Sequence, residues 1–223
     1  PSIHRAATPP PPSPGRVIGR TYWDYQANYS QGYQVGRNAG EGIVHFCWMT
    51  QIRLDQWDDD RYVAYTAYRI SDDSLLQGFG GDFVGLGVLA RAGYPNLAIG
   101  QGNTAHVALH QREDVPLPYS PWYLSFPIVG SAIHTEEEMT TPGGCPEYLW
   151  PKIAVQRKTT DTDYVHFIAH DNVNDCPLNQ LYYWRYDGWS WQGPALIDTV
   201  GRIGDAIAAD PDSPKVAIVT HSL

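Results

Sequence analysis

The sequence predicts an all-β protein, a β-propeller of which about three and a half four-stranded blades are present. Three observations carry this prediction. First, a two-part phrase recurs: Trp150-Pro-Lys-Ile-Ala-Val-Gln156 followed by Tyr164-Val-His-Phe-Ile-Ala-His170. It occurs earlier as Tyr94-Pro-Asn-Leu-Ala-Ile-Gly100 with Ala105-His-Val-Ala-Leu-His110, and later as Asp205-Ala-Ile-Ala-Ala-Asp210 with Val216-Ala-Ile-Val-Thr-His221. A looser copy, Tyr33-Gln-Val-Gly36 with Val44-His-Phe-Cys-Trp-Met49, comes first. Second, equivalent places in the four copies are His45, His106, His166 and Ala217, steps of 61, 60 and 51 residues. A unit of roughly 50–60 residues built from short strands is the mark of a propeller blade. Third, only 17% of residues are charged while Gly, Pro, Trp and Tyr abound, which favours short strands and turns over long helices.

Taken in order, residues 1–16 hold Pro9 to Pro12 and Pro14 and bury almost nothing, so they read as a proline-rich, polyproline II tether. Residues 17–223 form the blades, at about 17–90, 91–140, 141–200 and a partial 201–223. Thr21 to Tyr25 is an aromatic-rich strand, and Ile43 to Thr50 follows a Gly40-Glu-Gly42 turn. Tyr62 to Tyr68 alternates and reads as a strand. The glycine-rich stretch Gly78 to Gly87 lacks Gly-Lys-Ser/Thr and reads as a turn between blades rather than a phosphate cradle. Prolines 116, 118 and 121 delay the second blade's third strand to about Trp122, and His134 to Met139 reads as a solvated connection. Gln180 to Tyr186 is a strand, and Asp187-Gly188 turns it into an outer strand ending near Ile197.

Counting three blades and half of another leaves an open sheet edge. The chain is expected to be a piece of a longer polypeptide, or else another chain covers that edge. The start at Pro1 suggests a trimmed N-terminus. Cys145 and Cys176 both sit among prolines and polar loop residues, the setting of a loop-to-loop disulfide in an exported protein; three free thiols in a cytosolic protein is the alternative. Cys47, between Phe46 and Trp48 in a strand, reads as a small buried hydrophobe.

The phrases and hairpin resemble a family of secreted bacterial six- or seven-bladed propellers with sialidase-type (BNR) blades, which implies that the chain is part of such a ring. Trp150 to Ala154, Val165-His166-Phe167 and Tyr186-Asp187-Gly188-Trp189-Ser190-Trp191 carry the resemblance over roughly residues 17–223. It implies a secreted or cell-surface protein, since many such proteins resemble type IX secretion cargo. The hairpin departs from the Asp-box Ser-x-Asp-x-Gly-x-x-x-Trp, lacking its serine and having a shorter tryptophan spacing, which weakens any inference of sialidase chemistry.

For chemistry, the eye goes to His106/His110 and His166/His170. Four residues along a strand span about 13 Å, so neither pair can chelate one metal, and packing between sheets with a hydrogen bond to a neighbouring loop is the simpler role. Asp58 to Asp60, Asp72-Asp73 and Asp210-Pro-Asp212 read as solvated turns without a calcium-loop pattern. A sialidase would gather arginines; Arg37, Arg53, Arg69 and Arg91 are present without a motif. Trp57, Trp122 and Trp189 are candidate sugar-stacking aromatics. No nucleophile elbow or haem motif occurs, and no catalytic residue, metal or cofactor is assigned. A net charge of −9 disfavours nucleic acid, and no apolar run is long enough to span a bilayer. The expectation is an exported binding or assembly module that presents blade loops to a protein or glycan. The alternatives are a sialidase-like glycan-active enzyme and a structural subunit completed by another chain.

Overall fold

The structure, a computed structural model, describes residues 17–19, 21, 32–38, 40–51, 61–76, 84–86, 91–112, 117–129, 131, 133–158, 162–172, 176, 179–199 and 205–220. The tether, Tyr22 to Tyr25, Arg53, Trp57 and Asp58 to Asp60 lie outside these residues.

The fold is all-β, in four antiparallel sheets. Sheet 1 runs β1 (Val35–Asn38), β2 (Ile43–Gln51), β3 (Arg61–Arg69) and β4 (Ser74–Leu76), with β5 (Val84–Leu86) also on β3. Sheet 2 runs β6 (Arg91–Ile99), β7 (Ala105–Arg112), β8 (Ser120–Phe126) and β9 (Thr135–Glu138). Sheet 3 runs β10 (Tyr148–Arg157), β11 (Asp163–Asp171), β12 (Gln180–Tyr186) and β13 (Trp191–Thr199); sheet 4 pairs β14 (Ala206–Ala209) with β15 (Val216–Val219). Each copy of the repeated phrase supplies the first two strands of one sheet.

Two expectations are corrected. The glycine-rich stretch does not merely turn: Val84, Gly85 and Leu86 pair with Tyr65, Ala64 and Val63, so sheet 1 has five strands rather than four. His134 to Met139 is not only a connection, because Thr135 to Glu138 pairs with Ser125 to Trp122 as the outer strand of sheet 2. Its side chains are exposed, which hid it from a hydrophobic reading. Three glutamates on an outermost strand also discourage edge-to-edge association.

The sheets stack through alternating side chains. Cys47, Val63 and Tyr65 meet Leu97, Val107, Leu109 and Phe126 between sheets 1 and 2. Ala108 and Tyr123 meet Ile153, Val165, Phe167 and Trp184 between sheets 2 and 3. Ala154, Ile168 and Leu181 meet Ile207 between sheets 3 and 4. Because successive residues face opposite ways, the phrase histidines all point toward the following sheet.

First strands are sheet edges, so alternate main-chain groups face away from their own ladder, and the preceding sheet answers them. Leu97 N–H donates to Tyr33 O at 2.6 Å, and Ile153 N–H to Asn96 Oδ1 at 2.7 Å. Lys152 Nζ donates to Asp205 O. The strands carry matching bulges, between Gly93 and Asn96 and between Leu149 and Lys152. Each bulge holds an aromatic-proline pair with the aromatic in the left-handed region, Tyr94 at φ 51° and Trp150 at φ 50°. Proline has no N–H to lose from a ladder, which suits it to a bulge on an edge.

Cys145 and Cys176 form a disulfide with Cα atoms 5.5 Å apart, tying the approach to β10 to the loop after β11. Cys47 is free and buried. Closing a loop of 31 residues stabilises by about 3–4 kcal/mol in the chain-entropy view. Replacing both cysteines with serine is expected to lower the thermal midpoint by roughly 10 °C for a chain of this size, as read by differential scanning calorimetry. An unchanged midpoint would mean that the bridge constrains nothing.

Candidate functional site

The repeat histidines resolve first. His45 Nδ1 meets the Tyr65 hydroxyl, His106 Nδ1 that of Tyr123, and His166 Nδ1 that of Tyr183, each at 2.7 Å. Each tyrosine sits two residues diagonally away on the third strand, since Tyr65 pairs with Cys47, Tyr123 with Ala108 and Tyr183 with Ile168. The partner is thus a neighbouring strand, not the expected loop. The other nitrogen faces the next sheet: His106 Nε2 lies 3.7 Å from Asp163 Oδ2 at the start of β11. His166 Nε2 lies 3.2 Å from Gln156 Oε1, and Gln156 reaches Ser213 O in the turn of sheet 4. The Gln156 acceptor places the His166 proton on Nε2, so Tyr183 donates to Nδ1 there. Burial lowers the pKa of His45 to about 4, against an opposing contact from Asn103. Burial, helped by the Arg185 charge, does the same for His166.

A different cluster forms where first strands begin and second strands end. Arg61 opens β3, Arg91 opens β6 and Arg112 closes β7, and Arg91 and Arg112 stand directly opposite in the ladder. Like charges at such a pair are destabilising. Arg61 is buried, donating Nε–H to Ala92 O at 2.9 Å and Nη2–H to the Tyr119 hydroxyl at 3.4 Å. A Cβ at position 93 would come within 2.9 Å of the Arg61 guanidinium, so Gly93 makes room for it. The Arg112 guanidinium lies 5.0 Å from the Tyr119 ring centre, and Arg61 lies 5.5 Å from that of Tyr94.

Beneath the two tyrosines sits His110, with ring centres 5.2 Å from Tyr94 and 4.8 Å from Tyr119. Its Nδ1 accepts the Trp150 N–H at 3.3 Å, and its Nε2 is 3.5 Å from Arg61 Nη2. Burial and then the Arg61 charge hold its pKa well below the ordinary histidine value, keeping the ring neutral. Its counterpart in sheet 3, His170, instead bonds Asp205, beside buried Lys152. Among the described copies, only the one in sheet 2 faces arginine. Glu147 borders the cluster, accepting Tyr119 N–H at 3.3 Å.

The other candidates fall elsewhere. Arg69 pairs with Asp72 at 3.2 Å in the β3–β4 turn, and Asp73 takes the Tyr68 hydroxyl. Asp210 accepts from Asp212 N and the Ser213 hydroxyl within its turn. Trp122 is half-buried against the core between sheets 1 and 2 and donates to Ser120 Oγ at 3.0 Å. Trp189 is 90% exposed at a hairpin tip where Asp187 Oδ1 accepts the N–H of Trp189 and of Ser190, each at 2.9 Å. Cys145, Cys176 and Asp171 lie close together, but the sulfurs are joined to each other.

Among known proteins, no family model and no curated sequence matches the chain. One solved structure that it resembles is a polysaccharide lyase, an ulvan lyase, with a TM-score of 0.47 and 12% identity over 80% of this chain. The chain spans 44% of that protein's length. No helix among the described residues is long and apolar enough to cross a membrane.

The depressed histidine pKa values have a definite sign. His45 and His166 are neutral in the fold down to about pH 4, whereas an unfolded histidine protonates near 6.5. Stability from this source is therefore complete above pH 6.5 and is lost as pH falls toward 4, by at most roughly 3 kcal/mol per histidine. In urea titrations from pH 7 to 4, His166→Gln is expected to show a shallower stability decline than the parent chain. Equal slopes would contradict the buried neutral state.

Proposed function

We propose that the chain is part of an exported β-propeller that binds acidic glycans where the first strands begin. Support for the ring comes from one sheet per repeat, stacked face to face, with contacts between first strands. Both outermost faces carry apolar residues: Val44, Phe46 and Trp48 on sheet 1, where Gly19 lies against Trp48, and Ala206, Ala208, Ala217 and Val219 on sheet 4. Such faces suit further blades, as in the sialidase-type family that the sequence resembles. The disulfide supports an oxidising compartment.

The observation that carries the ligand class is the Arg91–Arg112 cross-strand pair beside buried Arg61. Three guanidiniums gathered on a chain of net charge −9 suit carboxylate or sulfate groups, which arginine holds through paired N–H donors. Tyr94 and Tyr119 add ring faces for sugar stacking. Isothermal titration with a polyuronate is expected to show binding that weakens at least tenfold in Arg112→Gln and with rising salt, and no binding of a neutral glucan. Equal binding by parent and variant would remove Arg112 from the site, and equal binding of the neutral glucan would remove the charge argument.

A glycan-active enzyme is the second reading, favoured by one observation: His110 is neutral, buried beside Arg61 and capped by two tyrosines. A neutral imidazole is the base form, and for His110 to take a proton its Nδ1 must first release the Trp150 N–H. On that reading, incubation with acidic polysaccharide releases new chain ends, and His110→Gln abolishes release while binding persists. Binding without release by the parent chain would leave the binding module.

A further inference from the structure

We infer that the opposite end of the sheets holds a second, separate pocket for one small hydroxy acid about the size of a single sugar ring. A cavity of about 160 Å³ opens where β1, β6 and β10 finish, lined by Arg37, Asn38, Gln101, Arg157 and Asp163. Ile99 and Val155 supply apolar wall. Arg61, Arg91 and Arg112 lie at the other ends of their strands, so the two sites share no residue.

Asp163 sets the chemistry. Its side chain is only 10% exposed, and Oδ2 accepts the Gln101 N–H at 2.8 Å and faces His106 Nε2 at 3.7 Å. Oδ1 is buried and has no hydrogen-bond partner among the described residues. A buried acceptor without a donor is costly, and a small turn of the carboxylate toward the cavity brings it to a ligand hydroxyl. The lost side chain at Gly100 matters here, since a Cβ there would strike both the Asp163 carboxylate and the His106 ring. A residue with a side chain would push that carboxylate from its place.

Around this acceptor stand two cations. Arg37 and Arg157 are both exposed at the cavity, and Asp212 lies 3.8 Å from Arg157 at the rim, where it competes for that guanidinium. Two guanidiniums call for an anion on the ligand, while Oδ1 calls for a hydroxyl on the same molecule. Size limits the rest. A 150 Å³ cavity admits benzene, whereas drug-sized ligands occupy about 300 Å³ or more, so one ring fits and an oligosaccharide does not. With about 13 non-hydrogen atoms and an open, partly screened site, the expected Kd is on the order of 1 mM.

The probe is D-glucuronate, followed by ligand-observed NMR titration of the full chain at low salt. Saturable binding near 1 mM is expected, lost at least tenfold in Arg37→Gln and in Arg157→Gln and unchanged in Arg112→Gln. Both substituted arginines are exposed, so the variants are expected to fold. Cyclohexanecarboxylate, with the same ring size and charge but no hydroxyls, is expected to bind at least tenfold more weakly. Absence of saturable glucuronate binding would overturn the pocket, as would loss in Arg112→Gln with retention in Arg37→Gln. Equal binding of the two acids would overturn the role of Asp163.

Discussion

The structure depends on how each sheet's first strand satisfies its outward-facing backbone. An edge strand has half of its N–H and C=O groups pointing away from its ladder, and a buried one cannot leave them to water. Leu97 N–H goes to Tyr33 O, and Ile153 N–H to the Asn96 side chain. Lys152 reaches forward instead, donating to Asp205 O at the head of the following sheet. These bonds set the spacing and order of the sheets more narrowly than apolar packing does, because hydrophobic contact is non-directional whereas a buried hydrogen bond fixes one approach.

The proposed sites follow from that arrangement. Stacking brings residues from separate sheets to common ends: Arg61 of sheet 1 reaches Ala92 O and Tyr119 of sheet 2, and His110 of sheet 2 reaches the Trp150 N–H of sheet 3. At the other end, Asp163 of sheet 3 reaches the Gln101 N–H of sheet 2. A polar residue three places before the phrase histidine recurs in this position, since Asn103 precedes His106 and Asp163 precedes His166. In each case that residue contacts the histidine of the sheet before: Asn103 that of His45, and Asp163 that of His106.

Much of the fold was legible in the sequence, for a physical reason. A repeat built to pack on its own copies must present the same side chains at the same strand positions, so His45, His106 and His166 recur at nearly constant spacing. The two missed strands lack that signal. Thr135 to Glu138 has its outward face in water and needs no apolar pattern, while Val84 to Leu86 is only three residues with glycine at its centre. The disulfide was readable because both cysteines stand in proline-flanked loops. The arginine cluster was not, because Arg61, Arg91 and Arg112 belong to three strands of two sheets and meet only after stacking. Arg91 is one of the four arginines a sialidase motif could draw on, but Arg61 and Arg112 carry no local sign; a charged residue at the end of a strand is usually just a solvated terminus.

Amide hydrogen exchange at Leu97 and Ile153 is the most direct test of the inter-sheet bonds. Both amides are expected to exchange as slowly as those inside ladders, such as Phe167, because each is held by the preceding sheet. Exchange at the rate of a solvated edge amide would mean that the first strands are not answered by their neighbours, and the alignment of both proposed sites would then lose its basis.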